Sequence, residues 1–215
     1  MTAHGERPSA FGTSPDPAAA ATEAAKAAVR RELLAARRAL GPEGRRAAAA
    51  ALAVATVGLA ARTGGPVCAY LPVGTEPGSV AGLDALRAAG HRVLLPVVPP
   101  VPGPLDWARY DGPDSLADAR LGLREPTGPR LGVAGITTAA LVLVPALAVD
   151  RHGTRLGRGG GYYDRTLPLA APEALLVAMI GDDELLDALP AGPFDVPVAA
   201  VIRPTTGVTM LSAGT

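Results

Sequence analysis

The strongest constraint on this chain lies at residues 141–165, where an unbroken apolar run, LVLVPALAV, gives way to DRHGTRLGRGGGYYDR. An apolar run with no polar alternation is the pattern of a strand buried on both faces, as in parallel sheets covered by helices. Behind it, five glycines fall between Gly153 and Gly161, interleaved with Arg155 and Arg158, and the run closes on Tyr162, Tyr163 and Asp164. A strand, a glycine loop with bare backbone N–H groups and a helix start make a phosphate-binding layout. The two guanidiniums add charge for an anion, and Asp164 can hold a divalent metal beside it. A glycine-rich turn with solvated arginines is the competing reading, since both residues are common here. It does not account for the strand in front, the tyrosines behind and the terminal carboxylate together.

The rest of the chain supplies a fold around that loop. Two Ala/Arg-rich helices are predicted at residues 17–40 and 42–62, separated by Gly41-Pro42. Short apolar strands then alternate with helical patterns. Strands are predicted near 67–73, 93–98, 141–149, 175–180 and 198–202, and helices near 79–89, 161–169 and 182–189. Such alternation predicts parallel βαβ units, hence an α/β, three-layer, mostly parallel open sheet with helices on both faces, Rossmann-like. The ligand site is expected at the carboxyl ends of the strands. Residues 99–136 are Pro/Gly-rich with little periodicity, long enough to build part of a site. Residues 1–16 read as a disordered N-terminal tail and 17–215 as a single α/β catalytic domain, a length that can bury one sizeable core.

Charge and composition narrow the function classes. A formal net charge of zero leaves no electrostatic footprint for nucleic acid or an anionic membrane. The apolar stretch at 47–61 reads as too short and too alanine-rich for a span, which needs about 20 residues. The first twenty residues carry charges and prolines with no apolar core of a signal peptide. Cys68 is the lone cysteine, so a disulfide scaffold is excluded and a small core residue in a reducing compartment is expected. The reading is a cytoplasmic enzyme acting on small molecules, without a nucleic-acid or membrane partner, as a monomer or weak homodimer.

Nineteen arginines accompany a single lysine, Lys26. Against that background the surviving lysine points to a compact ammonium acting on phosphate, although chance survival on an exposed helix face is the bland reading. Arg30 at i+4 puts a second cation on the same face. Aromatic residues are only 3% of the chain, and Tyr70, Trp107, Tyr110, Tyr162 and Tyr163 are five of its seven. Those beside glycine loops and strand ends are candidates for stacking on a flat heterocycle. For Tyr70, core packing fits equally well.

Four blocks in order resemble one family, 5-formyltetrahydrofolate cyclo-ligase, also called 5,10-methenyltetrahydrofolate synthetase. VPALAVDRHGTRLGRGGGYYD (144–164) resembles its hallmark ending in FD..G.RLG.G.GYYD, with Val149 where phenylalanine is usual. KAAVR (26–30), YLPVGTEPGS (70–79) and DDELLDALPAGPFDVPV (182–198) resemble its K..LR, Y.P...E and lP.e.HD.p elements. The resemblance covers residues 22–206. It implies a reaction in which 5-formyltetrahydrofolate and ATP, with magnesium, give 5,10-methenyltetrahydrofolate, ADP and phosphate.

The same resemblance implies roles for individual residues. Lys26, Ala27, Ala28, Val29 and Arg30 would contact the nucleotide, with Lys26 and Arg30 on its phosphates. Arg155, Leu156, Gly157, Arg158, Gly159, Gly160, Gly161, Tyr162 and Tyr163 would wrap the triphosphate, and residues 158–162 would also border the folate. Lys26, Arg155, Arg158 and Tyr162 would assist the chemistry, and Asp164 and Asp195 would hold Mg2+. Leu71 and Glu76 would contact the folate, a carboxylate being a natural acceptor for a pterin's N–H groups; Trp107 lies in a segment resembling a folate-side loop. Asp150 and Glu125 also fall in family-like positions, where a turn or capping role fits as well. Phe194 stands where histidine is usual, removing a possible donor beside Asp195, and Pro77 follows Glu76 where a small aliphatic residue is usual.

Two other function classes remain open on sequence alone. A dinucleotide-binding oxidoreductase would use the strand–glycine–helix unit with Asp182 or Asp183 as the ribose acid, but the loop lacks the third glycine of G-x-G-x-x-G. A non-catalytic nucleotide-binding module is disfavoured by the folate-side residues.

Overall fold

The computed structural model describes residues 17–191 and 195–212. The expected N-terminal tail, residues 1–16, lies outside them, as does Phe194. The chain begins with two helices, α1 (Pro17–Ala39) and α2 (Pro42–Thr63). Next come β1 (Val67–Cys68), α3 (Val80–Ala88), β2 (Val93–Val97) and β3 (Asp106–Arg109), followed by the hairpin strands β4 (Leu116–Asp118) and β5 (Arg124–Pro126). β6 (Leu141–Pro145), β7 (Ala148–Asp150), β8 (Arg155–Leu156), α4 (Tyr162–Thr166) and β9 (Leu175–Met179) carry the central part. β10 (Leu185–Leu186), β11 (Ala200–Arg203) and β12 (Gly207–Met210) complete it.

The fold is mixed α/β with a mostly parallel central sheet. Its seven strands run in the order β12-β11-β9-β6-β1-β2-β3. β11, β9, β6, β1 and β2 are mutually parallel, and β3 and β12 close the two edges antiparallel. The register sets Val67 opposite both Val93 and Leu141. Successive strand residues point to opposite faces. Val67, Val93, Leu95, Leu141, Leu143, Val177 and Ile202 therefore pack with Leu52 and Leu59 of α2 and Leu83 and Leu86 of α3. Their neighbours Cys68, Leu94, Val142, Val144, Ala178 and Val201 face the other way, onto Trp107, Ile136, Ala139 and Leu167. Cys68 is a buried core residue, and burial pushes its thiol pKa up, keeping it protonated.

Local chemistry sets the helix ends. Pro42 opens α2 at its first turn, and Gly64, at φ 66°, closes it by donating its N–H to the Ala60 carbonyl at 3.0 Å. Ser79 caps α3, its hydroxyl accepting from the Gly82 N–H at 3.1 Å. α2 runs 22 residues and, among the described residues, is the one helix long and apolar enough by composition to cross a membrane. The expected shortness of this segment is therefore corrected. Here its buried residues, Leu52, Thr56, Leu59 and Ala60, lie against the sheet side of the molecule.

Three expected elements are corrected. The apolar run 141–149 is two strands: β6 belongs to the central sheet, while β7 belongs to a small sheet with β8 and β10. Pro145 ends the first strand, and a proline has no N–H to continue a ladder. The helix expected at 182–189 is a single 3-10 turn, Asp182–Glu184, followed by β10. The helix expected at 161–169 is five residues of α4 and a 3-10 turn, Leu167–Leu169, interrupted where Pro168 enters.

The sheet order reverses direction between β1 and β6. From β1 the chain winds outward to β2 and β3, then returns to β6 and winds the other way. Loops leaving the carboxyl ends of two such strands diverge and leave a crevice, the usual ligand position in open α/β sheets.

Candidate active site

That crevice is a cavity of about 240 Å³. Tyr70, Leu71, Val73 and Glu76 enter it after β1, Pro96 and Val98 at the end of β2 and just beyond it, and Pro145, Ala146 and Leu147 at the end of β6 and just beyond it. Its remaining wall includes Arg155 and residues 157–164. The two segments singled out in the sequence, 70–76 and 155–164, thus meet at one end of the sheet and face one another.

The glycine segment is built differently from a strand–loop–helix unit. β7 and β8 form an antiparallel hairpin, with Ala148 opposite Leu156 and Val149 opposite Arg155. Asp150 makes its turn: Oδ1 accepts from the backbone N–H groups of His152 and Thr154 at 2.9 Å, and Oδ2 from Leu189 N–H at 3.1 Å. Buried and saturated in this way, Asp150 shapes the hairpin. Gly153 sits in that turn at φ 88°, with the Val198 carbonyl against the space a Cβ would fill, so no other residue fits there without strain. Beyond β8 the chain loops through residues 157–161 into α4, so the glycines follow a strand of an antiparallel hairpin and not the parallel strand of a dinucleotide-binding βαβ unit. The dinucleotide reading is corrected on that ground.

Cations and carboxylates of the site pair with one another. Arg155 Nη2 donates to Asp164 Oδ1 at 2.5 Å, its guanidinium lying 5.9 Å from the Tyr163 ring centre. Arg158 Nε meets Glu76 Oε1 at 3.0 Å, and its Nη2 donates to the Val73 carbonyl at 3.2 Å. Glu76 Oε2 accepts from the Val73 N–H at 2.9 Å, which fixes that carboxylate toward the glycine loop. Arg165 lies over Tyr162, 5.3 Å from its ring centre, and donates to the Gly160 carbonyl.

α1 lies along the outside of this loop. Val29 and Leu33 pack on Ala148, Leu156 and Leu189. Arg30 Nε donates to the Gly157 carbonyl at 2.9 Å. Lys26 Nζ lies 2.9 Å from Asp195 Oδ2, the two side chains being 12% and 18% exposed. The exposed-face reading of Lys26 is therefore corrected. Ala27 is exposed and Ala28 half-buried on the same helix. The structure brings Lys26 to Asp195 and Arg30 to the glycine loop, beside the cavity rather than in its wall.

Trp107 is placed elsewhere. It is wholly buried on β3 in the core beneath the second sheet face and is not among the cavity-lining residues. Glu125 does line the cavity, its Oε1 accepting from the Val98 N–H at 2.9 Å. Tyr70 donates its hydroxyl to the Pro77 carbonyl at 2.7 Å, so the proline after Glu76 serves as the acceptor for a cavity tyrosine. The Tyr163 phenol is pushed well above its usual range by burial and then by the Glu76 charge, which keeps it a donor.

The side-chain chemistry of the two named aspartates is of the kind magnesium takes. Asp164 and Asp195 offer hard oxygens, and magnesium commonly takes one or two carboxylates together with phosphate oxygens and water. No group of three or more metal-ligating side chains occurs among the described residues. Each aspartate faces a cation here, so Arg155 and Lys26 occupy the positions of positive charge beside them.

Arg37 was not singled out by the sequence, one arginine among nineteen. Counting along α1 from Lys26 through Arg30 and Leu33 reaches it on the same helical stripe, the signal that could have found it.

Comparisons with known proteins agree on one family. The sequence profile of the 5-formyltetrahydrofolate cyclo-ligase family matches residues 22–204. The 5-formyltetrahydrofolate cyclo-ligase of Mycolicibacterium smegmatis is 52% identical over 153 residues, covering 69% of this chain and 78% of the relative. That of Escherichia coli K12 is 34% identical over 125 residues, 57% of this chain and 69% of the relative. The solved 5,10-methenyltetrahydrofolate synthetase of Aquifex aeolicus superposes with a TM-score of 0.70 at 26% identity, covering 88% of this chain and 94% of that one. The Mycoplasma pneumoniae synthetase shares the fold, with a TM-score of 0.64 at 21% identity over 82% of this chain and 96% of that one.

Proposed function

The chain belongs to the 5-formyltetrahydrofolate cyclo-ligase family, and on that premise we propose that it closes 5-formyltetrahydrofolate to 5,10-methenyltetrahydrofolate at the expense of ATP. The observation that carries the reading is the single cavity shared by Leu71 and Glu76 on one wall and the Arg155–Asp164 segment on the other. Glu76 facing the glycine loop across one cavity supports a reading in which the formyl and phosphoryl groups meet there.

The chemistry needs that arrangement. A formamide oxygen is a poor leaving group. It attacks the γ-phosphorus, a P–O bond forms, the bond to the β-phosphate oxygen breaks, and ADP departs. The neighbouring anilino nitrogen then attacks the activated formyl carbon and loses its N–H proton to solvent, the new C–N bond closes the ring, and the oxygen leaves as phosphate. Transfers of this kind rest on positioning and charge neutralisation. Lys26, Arg30, Arg155 and Arg158 supply cations for the triphosphate, Glu76 accepts pterin N–H groups, and Tyr162 borders both substrates. Asp164 and Asp195 would hold Mg2+, which supplies charge neutralisation on the phosphates when bound. Residues 17–215 act as one catalytic domain in this reading, working in the cytoplasm as a monomer or weak homodimer.

The test is direct. Purified protein with 5-formyltetrahydrofolate, ATP and magnesium is expected to give methenyl-folate absorbance with one ADP per product. Unformylated tetrahydrofolate is expected not to drive ATP hydrolysis at a comparable rate. Equal ATPase activity with and without the formyl group, or cyclisation without ATP consumption, would defeat this function.

A further inference from the structure

Arg37 projects from the last turns of α1 and is 8% exposed. Its Nε donates to Glu184 Oε1 at 2.6 Å, and its Nη2 donates to Glu184 Oε2 and to the Ala146 carbonyl, both at 2.7 Å. Those bonds use three of the five N–H groups of a guanidinium. Both hydrogens of the remaining nitrogen, Nη1, are buried without a hydrogen-bond partner among the described residues. A buried donor left unpaired is costly, and a ligand that brings an acceptor recovers that cost.

Arg37 also stands where two cavities meet. It lines the 240 Å³ crevice together with Leu71 and Glu76. It lines a second cavity too, of about 840 Å³, bounded by the start of α2, by residues 74–79 and by residues 180–184. Glu76 is likewise common to both. The smaller cavity alone falls below the range of about 300–1,000 Å³ typical of small-molecule sites. An elongated reduced folate whose pterin meets Glu76 must therefore extend past the wall that Arg37 and Glu76 form.

We propose that Arg37 is a further substrate-binding residue, its free guanidinium edge donating to a carbonyl or carboxylate oxygen of the reduced folate where it passes between the two cavities. This rests on the cyclo-ligase reading above. Glu184 is the counterpart that holds the guanidinium in place: it accepts from Nε and from one N–H of Nη2 and, through Oε2, from the Gly181 N–H at 2.5 Å. Arg45 and Arg46 also line the larger cavity, but Arg37 is the one arginine common to both cavities. Glu184 is paired to it, and Asp182 is held by the N–H and hydroxyl of Thr205.

The experiment compares wild type with Arg37→Lys and with the double variant Arg37→Met/Glu184→Gln, by steady-state kinetics in each substrate and by thermal melting. The double variant removes both members of the pair and so leaves neither as an unpaired buried charge, and a glutamine oxygen can still accept the Gly181 N–H, so the fold is expected to survive. The KM for 5-formyltetrahydrofolate is expected to rise about tenfold to a hundredfold in both variants, the scale of one charged hydrogen bond, with the KM for ATP within about twofold. Arg37→Lys keeps a cation for Glu184 but cannot also present a second planar edge. An unchanged folate KM in the folded double variant overturns the inference and leaves the cyclo-ligase reading intact. A parallel rise in the ATP KM also overturns it, because it would mean that Arg37 acts only by anchoring α1. A wild type that makes no methenyl-folate removes both.

Discussion

Lys26→Ala separates a structural from a functional use of the one lysine. In the structure its ammonium lies 2.9 Å from the Asp195 carboxylate, both side chains mostly buried. At that distance and an effective dielectric of about 20 the direct attraction is about 6 kcal/mol, and desolvation of the two charges offsets most of it. Removing the ammonium is expected to cost about 1–3 kcal/mol of stability, or roughly 2–10 °C in melting temperature for a chain of this size. The functional effect is separate. If Lys26 leaves Asp195 for a phosphate when nucleotide binds, losing one charged contact raises the KM for ATP by about tenfold to a hundredfold. Lys26→Arg should recover part of the stability and less of the affinity, because a planar guanidinium does not replace a compact ammonium. The assays are thermal melting with and without ATP and magnesium, and initial rates against ATP. A variant that melts lower but keeps the wild-type KM and the wild-type shift on adding ATP would show that the pair only docks α1. That result would refute the phosphate role.

Asp164→Asn is expected to lower turnover at least a hundredfold and to recover partly in excess magnesium, read by initial rates across a magnesium series; its carboxylate is 33% exposed, so the stability loss should stay near 1–2 kcal/mol despite the broken Arg155 pair. Gly153→Ala should destabilise by about 2–4 kcal/mol, measured by denaturant titration, because the residue sits at φ 88° with the Val198 carbonyl in the way of a Cβ. Tyr163 is raised in the fold by burial and Glu76, so the folded state holds its proton more tightly than the unfolded chain. Its contribution to stability is full below the ordinary tyrosine value of about 10 and lost as pH rises above it; Tyr163→Phe should lessen the alkaline fall in a melting profile against pH, with Tyr70 and Tyr110, also raised by burial, carrying the rest.

The alternation of apolar strands with helical segments was enough to read a mostly parallel sheet, since only strands buried on both faces can be so uniformly apolar. It also placed residues 70–76 and 155–164 at one end of that sheet, because each follows an apolar strand. Boundaries were less legible where a strand changes partners. The run 141–149 is uniformly apolar, yet Pro145 stops its ladder and β7 pairs instead with β8 and β10. That choice depends on a hairpin closed by Asp150 and on Leu185 and Leu186 arriving from far along the chain. The edge strands β3 and β12 gave no apolar run, because an edge strand has one neighbour and less to bury.

The site shows the same division between identity and arrangement. The glycine loop, Glu76 and the two aspartates could be named from the motif because each is a residue type that phosphate, pterin or metal demands. Their pairing could not, because it arises only when segments distant in sequence close on one another. Arg158 meets Glu76 across 82 positions, and Lys26 meets Asp195 across 169. A site built of such pairs has little net charge to offer an anion before its ligands arrive. Cations released toward phosphate would leave carboxylates that need a new partner, and magnesium and pterin N–H groups are the two that the proposed reaction would bring. Tight binding of the nucleotide should therefore depend on the metal and on the folate together, since each would supply a partner to a carboxylate whose cation the phosphates draw away.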